Sequence, residues 1–223
     1  MSRKYSILAI FGALVLFILS LGDAFAASPV QRAGKWEFTV QTRYLDGQHV
    51  DGDSGSSADV NNTLGWGFGI GYNLTNNFTL AMDIGWASAN YRGTYVTDTS
   101  ATQTINGTMD TSTIALNLSY YFTRSAVSQF VMGGIGSIFI DSNIPSGLAS
   151  TGCWYDSWWG YVCNSYQPIY SSTNFTYNAG LGLRWDAAPG FFMRGIIGEQ
   201  WIDANGGNAD VTNYRIDFGF TFR

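Results

Sequence analysis

The sequence predicts an all-β chain that closes into an eight-stranded antiparallel up-and-down transmembrane β-barrel. Three observations lead to this fold: a leader-like N-terminus, an apolar and aromatic composition without a second long apolar run, and eight segments that alternate large apolar residues with small or polar ones. Alternation with a period of two is typical of a strand whose two faces meet different surroundings.

The N-terminus has the three parts of a secretory signal peptide. Arg3 and Lys4 give a basic start, Ile7 to Leu21 form an apolar run, and Ala24 to Ala26 form a small-x-small cleavage site. The apolar run is short for a membrane-spanning helix, which needs about 18 residues or more. We therefore predict a signal peptide over 1–26 and a single barrel domain over 27–223, secreted to the periplasm.

The composition restricts the class of protein further. Aromatic residues make up 16% of the 223 positions and charged residues only 12%, which excludes a disordered chain. The formal net charge of −5 argues against a nucleic-acid partner. Since no other segment has the apolar length of a membrane helix, a closed barrel is the main way left for this chain to span a membrane.

The strands follow from the alternation and from the lengths of the connections. Short connections alternate with longer polar ones, which is the pattern of periplasmic turns and external loops in outer-membrane barrels. The predicted strands lie near 35–45, 63–72, 78–88, 111–122, 129–140, 174–185, 191–202 and 211–222.

Direction and parity then predict two aromatic belts on the lipid-facing side, where ring side chains meet the two membrane interfaces. The outer belt is Tyr44, Trp66, Trp86, Tyr177, Trp201 and Tyr214, and the inner belt is Trp36, Tyr72, Phe78, Phe122, Trp185, Phe191 and Phe222. Glu199 shares the parity of Trp201. It either lies outward at the headgroup boundary, or a bulge near Gly198 turns it inward.

The stretch "LGWGFGIGY" predicts a crowded barrel interior. Gly65, Gly67, Gly69 and Gly71 alternate with large apolar residues, and an eight-stranded barrel is only wide enough for side chains to fill. The glycines either make room for long side chains from the opposite wall or ease the curvature. Inward parity predicts a polar network in which buried charges pair, formed by Lys35, Glu37, Arg43, Asp83, Arg184, Arg194, Arg215 and Asp217.

Three stretches carry a resemblance to a known family. "GYNLTNNFTLAMDIGW", "YNAGLGLRWD" and the end "IDFGFTF" resemble the small eight-stranded outer-membrane barrels of the OmpA transmembrane-domain, OmpX and OmpW type. The resemblance covers the whole mature chain and implies the outer membrane of a Gram-negative bacterium, with outer-membrane lipid around the barrel. It also implies that the last strand, ending at Phe222 before Arg223, is recognised by the barrel-assembly machinery.

The two cysteines flank an aromatic stretch in the longest connection. Because the periplasm is oxidising, we expect Cys153 and Cys163 to form a disulfide. The stapled loop is either a small core that covers the barrel mouth or a binding surface, since Trp and Tyr dominate interaction hot spots. The candidate surface is Trp154, Tyr155, Trp158, Trp159 and Tyr161.

Catalysis finds little support in the sequence. A nucleophile needs a base within hydrogen-bond reach, and the one histidine, His49, lies in a Gly-rich polar loop with Asp51, Asp53 and Ser54. We predict no enzyme activity, no catalytic residue, no metal site and no cofactor.

The sequence thus favours a structural or surface-interaction role, through external loops that meet an extracellular ligand or surface partner. A narrow, porin-like channel for small or apolar solutes is the alternative, and a lipid-modifying enzyme is the third.

Overall fold

The computed structural model describes residues 29–51, 57–96, 102–145, 150–158, 160–166, 169–204 and 207–223. The predicted signal peptide lies outside these residues. No helix in this part of the chain is long and apolar enough to cross a membrane.

Eight antiparallel strands form one closed ring, which confirms the predicted barrel. The described residues form these eight strands and four short ones, β2, β3, β8 and β9. In chain order all twelve are β1 (Trp36–Leu45), β2 (Gln48–Asp51), β3 (Ser57–Val60), β4 (Thr63–Asn73), β5 (Phe78–Val96), β6 (Thr102–Tyr121), β7 (Val127–Pro145), β8 (Ser150–Asp156), β9 (Gly160–Tyr166), β10 (Ile169–Ala188), β11 (Phe191–Ala204) and β12 (Gly207–Phe222). The ring runs β5-β4-β1-β12-β11-β10-β7-β6 and closes by pairing of β6 with β5. Since the first and last strands pair along their length, from Trp36 opposite Phe222 to Leu45 opposite Asn213, the ring has no free edge.

Four strands continue far beyond the predicted ends, into segments expected to be connections. The strands β5, β6, β7 and β10 contain 19, 20, 19 and 20 residues, whereas about 9–11 residues span a membrane. The pairing of β5 with β6 persists to Val96 opposite Thr102, and that of β7 with β10 to Pro145 opposite Ile169. These extensions are rich in Thr, Ser and Asn, and the apolar alternation that marks a membrane strand fades there. The strands predicted over 78–88 and 129–140 therefore ended too early, and those predicted over 111–122 and 174–185 began too late.

Two short hairpins accompany the barrel on the same side, which is the external side because the connections there are the long ones. The β2–β3 hairpin adds to the edge of β5, with Ser57 opposite Thr94. The β8–β9 hairpin forms a separate two-stranded sheet.

The glycine-rich stretch is β4, and it has the predicted orientation. Gly65, Gly67, Gly69 and Gly71 are buried, while Leu64, Trp66, Phe68 and Ile70 are exposed on the lipid-facing side. A Cβ at Gly67 would collide with the backbone carbonyl of Ile84, so that glycine permits close approach of β5. A Cβ at Gly69 would collide with Asp83 and lie 2.6 Å from Thr39 Oγ1. The side chains over the glycines therefore come from neighbouring strands, not from the opposite wall.

The two aromatic belts are present as neighbouring ring pairs. On the external side Trp66 and Trp86 have ring centroids 4.8 Å apart, and Tyr177 and Trp201 are 5.2 Å apart. Near the periplasmic end Trp36 and Tyr72 are 5.0 Å apart. Aromatic rings at both interfaces fix the height of the barrel in the bilayer.

Glu199 faces outward in unbroken register. It lies opposite Thr212, whose hydroxyl donates a hydrogen bond of 3.1 Å to Glu199 Oε2, and the pairing of β11 with β12 has no bulge. The alternative of a bulge near Gly198 is therefore wrong. Two residue pairs further along the ladder, Trp201 lies opposite Asp210, so Glu199 lies close to the outer belt.

Candidate functional site

The barrel interior holds a cluster of buried charges in two layers. The periplasmic layer contains Arg32, Glu37, Arg184 and Asp186, and the outer layer contains Arg43, Asp83, Arg194, Arg215 and Asp217. Arg184 and Asp217 have no exposed side-chain surface, and Glu37 and Asp83 are 2% exposed. Charges buried to this extent are stable only when they are paired and hydrogen-bonded.

The periplasmic layer is centred on Arg184. Its Nη1 lies 2.6 Å from Glu37 Oε1 and its Nη2 lies 3.0 Å from Asp186 Oδ1. Asn73 donates a further hydrogen bond of 2.8 Å to Glu37 Oε1. The guanidinium also stacks 3.8 Å from the centroid of the Phe192 ring, a cation–π contact in a water-poor interior.

Arg32 closes this layer from the periplasmic end. The strap that carries it, residues 29–34, precedes β1 and is tied to the turn after β6 by Val30 N–H, which donates to the Arg124 carbonyl at 2.7 Å. Arg32 Nη2 lies 2.6 Å from Asp186 Oδ2 and 2.8 Å from Ser128 Oγ. Gly34 has a φ of +75°, a conformation that favours glycine and turns the strap into β1.

The outer layer is centred on Asp83. Gln41 Nε2 donates to its Oδ1 at 2.6 Å, and Asn117 Nδ2 and Arg215 Nη1 donate to its Oδ2 at 2.7 and 2.9 Å. Arg215 Nε also lies 3.0 Å from Asp217 Oδ1, and Arg194 holds the other oxygen of Asp217 at 2.9 Å. Both oxygens of Asp83 therefore accept hydrogen bonds, whereas Asp217 accepts one at Oδ2 from Arg194 and is ion-paired with Arg215 at Oδ1.

These contacts cross the interior. Glu37 on β1 meets Arg184 on β10, and Asp83 on β5 meets Arg215 on β12. In each case the two strands are three places apart around the ring. Arg194 on β11 reaches Tyr121 on β6 in the same way, with 3.4 Å between Nη1 and the hydroxyl. The cluster is consequently a set of ion pairs and hydrogen bonds that cross the middle of the barrel, and we call these cross-barrel contacts struts.

Most of the predicted lumen residues come together in this cluster. Glu37, Asp83, Arg184, Arg194, Arg215 and Asp217 are all buried and ion-paired. Arg43 is half-buried at the outer edge of the cluster. Lys35 is half-buried at the periplasmic end of β1, and no carboxylate in the described part of the chain is within ion-pair distance of it. The structure therefore does not place Lys35 in the network.

Sequence reasoning did not include Arg32 and Asp186 in the network. Both lie just outside the predicted strands, where inward or outward parity could not be assigned. Gln41 and Asn117 have inward parity in the sequence, so their position in the interior is predictable. A network that is defined by charged residues alone leaves these two amides out.

The cysteine hairpin has a register that suits a disulfide. Cys153 lies directly opposite Cys163 in the β8–β9 ladder, and Tyr155 lies opposite Tyr161. Tyr155 is 68% exposed and Trp158, at the turn, is 91% exposed. The structure does not describe the side chains of Trp154, Trp159 and Tyr161.

His49 lies on the β2–β3 hairpin rather than in an irregular loop. Its Nδ1 contacts Asp59 Oδ1, the residue directly opposite in the ladder, and more than half of each side chain is exposed. The predicted neighbours Asp53 and Ser54 lie outside the described residues. The partner seen here is a cross-strand carboxylate at the water-exposed end of the molecule.

A closed eight-stranded barrel with an apolar outer face, two aromatic belts and a polar interior defines the class of small transmembrane barrels. Residues 11–222 match the family described as outer membrane protein beta-barrel domain, and the chain belongs to that family. The protein is thus an outer-membrane barrel of a Gram-negative bacterium. Comparison with curated protein sequences finds no match.

Solved structures with a TM-score above 0.5 show the same fold at low sequence identity. The outer membrane protein OprG from Pseudomonas aeruginosa is 14% identical with a TM-score of 0.51, over 87% of this chain and 98% of that one. Neisserial surface protein A is 12% identical with a TM-score of 0.51, over 84% and 97%. The attachment invasion locus protein Ail of Yersinia pestis, solved with the heparin analogue sucrose octasulfate, is 13% identical with a TM-score of 0.46, over 85% and 99%.

Proposed function

We propose that this chain is a non-catalytic outer-membrane protein that acts through its external strands and hairpins, with no steady passage of solutes through the barrel. The observation that carries the proposal is the set of ion pairs across the interior, such as Glu37 with Arg184 and Asp83 with Arg215. A filled lumen leaves the external surface as the part of the molecule that is free to bind.

The external region is large enough for this role. In β5, β6, β7 and β10 close to half of each strand extends past the length that a membrane needs. The β8–β9 hairpin adds an aromatic surface on a small sheet of its own, and a disulfide between Cys153 and Cys163 would fix its shape. Tyr155 and Trp158 are the exposed anchors of that surface.

Charge indicates the class of partner. The segments 46–62, 89–110, 141–173 and 203–210 contain ten of the 16 acidic residues of the chain but only one of the 11 basic ones, Arg92. A surface with this excess of carboxylates attracts cationic partners and repels polyanions. We therefore propose a basic partner, such as a Lys- or Arg-rich peptide segment of another protein.

The binding test uses the full-length mature protein in lipid nanodiscs. A deca-lysine peptide and a heparin fragment serve as probes of opposite charge. We expect salt-sensitive binding of the cationic probe alone, and weaker binding after Trp158→Ala and Trp159→Ala with unchanged heat-modifiable migration on a gel. Preference for heparin would contradict the proposed partner class.

The lumen is tested separately by planar-bilayer recording. We expect little or no steady conductance, because the struts occupy the interior. A large, stable open conductance would contradict this proposal and would favour a channel for small solutes. Unmodified lipid A in mass spectra of cells that express the protein would argue against the lipid-modifying alternative.

A further inference from the structure

The charges at the two ends of the barrel have opposite sign. The external segments carry an excess of carboxylates, whereas three cationic residues lie around the periplasmic end. They are Lys35 before β1, Arg124 in the β6–β7 turn and Arg223 after β12. Lys35 is half-buried, and Arg124 and Arg223 are exposed. We call these three residues the periplasmic rim.

No anion among the described residues neutralises the periplasmic rim. Asp186 is the one carboxylate side chain beyond the inner aromatic belt in the described chain, but it is only 12% exposed and is ion-paired with Arg32 and Arg184. Arg124 contacts a neutral amide instead, because its Nε donates to Asn77 Oδ1 at 3.2 Å. No carboxylate in the described part of the chain is within ion-pair distance of a rim residue. The rim therefore presents uncompensated positive charge at the periplasmic side of the membrane.

The periplasmic rim lies at the height of the lipid headgroups. Each rim residue is within two positions of a member of the inner aromatic belt. These belt neighbours are Trp36 for Lys35, Phe122 for Arg124 and Phe222 for Arg223. Aromatic belts mark the membrane–water interface, and a strand rises about 3.3 Å per residue. The rim backbone is therefore within about 7 Å of the interface, and long Lys and Arg side chains reach phosphate groups from there.

The rim charges are distributed around the mouth of the barrel. Lys35 and Arg223 adjoin the periplasmic end of the β1–β12 ladder, whereas Arg124 follows β6, three places around the ring from β1. The turn that carries Arg124 is tied to the strap, because its backbone carbonyl accepts a hydrogen bond of 2.7 Å from Val30 N–H. Charges spread in this way fit a layer of lipid headgroups around the barrel better than a protein segment docked at one point.

We propose that the periplasmic rim binds anionic phospholipids of the surrounding leaflet, with phosphodiester headgroups such as that of phosphatidylglycerol beside Arg124 and Arg223. A guanidinium fork matches phosphate oxygens in a bidentate geometry, and a Lys or Arg near a bilayer surface attracts anionic lipid about fivefold. The acidic external end offers no comparable attraction, so the enrichment is confined to the periplasmic leaflet. The inference does not rest on the proposed external binding, because it concerns the opposite end of the barrel.

The test measures the lipid selectivity of the folded full-length mature protein in phosphatidylcholine vesicles. Phosphatidylglycerol and phosphatidylcholine, each spin-labelled on an acyl chain, report by electron paramagnetic resonance the fraction of probe lipid that is immobilised at the barrel surface. Only part of the lipid shell adjoins the rim, so the fivefold local effect averages to a preference of about twofold for phosphatidylglycerol. We expect this preference to fall in high salt, because exposed charges are screened.

Two variants with the same change of charge test the position of the cation. Arg124→Gln should lower the preference, whereas Arg92→Gln, which removes an exposed cation from the external part of β5, should leave it unchanged. Arg124→Lys keeps the charge and should retain the preference. The triple variant Lys35→Gln, Arg124→Gln and Arg223→Gln should abolish it. Heat-modifiable migration on a gel checks folding, and Arg223→Gln, which lies outside every strand, provides a further single variant if Arg124→Gln folds poorly.

Equal immobilisation of the two spin-labelled lipids by the wild type would overturn the proposal and leave an acidic protein as the partner class of the rim. A preference that the triple variant retains would also overturn it, as would a preference that does not respond to salt. An equal loss in Arg124→Gln and Arg92→Gln would show that net charge, and not the rim, sets the preference. Binding of the deca-lysine peptide at the external end is measured separately, so either proposal can fail without the other.

Discussion

Glu37 and Arg184 meet in the middle of the barrel, 147 residues apart in the chain, with 2.6 Å between Oε1 and Nη1. This pair joins the first strand to the third-last one and is screened from water on all sides. Its energetic role can be measured, because removing one member of a buried pair leaves the other charge uncompensated.

The first prediction concerns this pair. Arg184→Met should lower the free energy of unfolding by about 3–5 kcal/mol, since Glu37 then stays buried with Asn73 and a distant Arg194 as its partners. Denaturant unfolding in micelles measures the change. The double variant Glu37→Gln with Arg184→Met should recover part of the loss. Arg92→Met, on the exposed part of β5, is the control. A single variant as stable as the wild type would mean that the struts do not hold the barrel together.

The second prediction concerns the space over the β4 glycines. Gly69→Ala should destabilise the barrel by about 1–3 kcal/mol through overpacking, because the new Cβ would displace Asp83 and lie 2.8 Å from Gln41 Nε2. Gly195→Ala is the matched control, since a Cβ there meets nothing within 4 Å. Equal stability of the two variants would indicate that the outer layer rearranges freely.

The third prediction concerns depth in the membrane. Leu116 is 49% exposed between Met82 and Ile135 on the neighbouring strands, whereas Leu64 lies opposite Tyr44 of the outer belt. Leu116→Arg should therefore cost about 2–4 kcal/mol and Leu64→Arg about 0–1 kcal/mol. Folding titrations into lipid vesicles measure both. The reverse order of the two costs would contradict the placement of the barrel between its belts.

The fourth prediction concerns the cysteine hairpin. Closing a ring of the size between Cys153 and Cys163 contributes about 3 kcal/mol in the chain-entropy model, but the ring lies in a separate two-stranded sheet. Reduction should therefore loosen the hairpin and leave the barrel folded, with unchanged heat-modifiable migration and β-sheet circular dichroism. Unfolding of the barrel on reduction would make the bridge structural for the whole domain. Free thiols in the untreated protein would show that no bridge forms.

Much of the barrel was predictable because the membrane imposes a strict local rule. A strand that crosses lipid must place an apolar side chain at every second position, so the faces of Gly69, Asp83 and Leu116 could be assigned from parity alone. The same rule assigned Glu37 and Arg184 to the interior. It gave no information on the outer halves of β5, β6, β7 and β10, where water surrounds both faces and backbone pairing needs no apolar pattern.

What the sequence determined by itself was therefore the number of membrane strands, their faces and the two aromatic belts. Only the tertiary structure decided which inward charges meet, because pairing depends on the order and stagger of the strands around the ring. That order brings Arg32 from the strap onto Asp186 at the periplasmic end. It also leaves Arg43 opposite Arg215, with no carboxylate of a described residue within ion-pair distance of its guanidinium. Parity specifies only a direction for each side chain, whereas an ion pair also requires matching height and distance across the barrel.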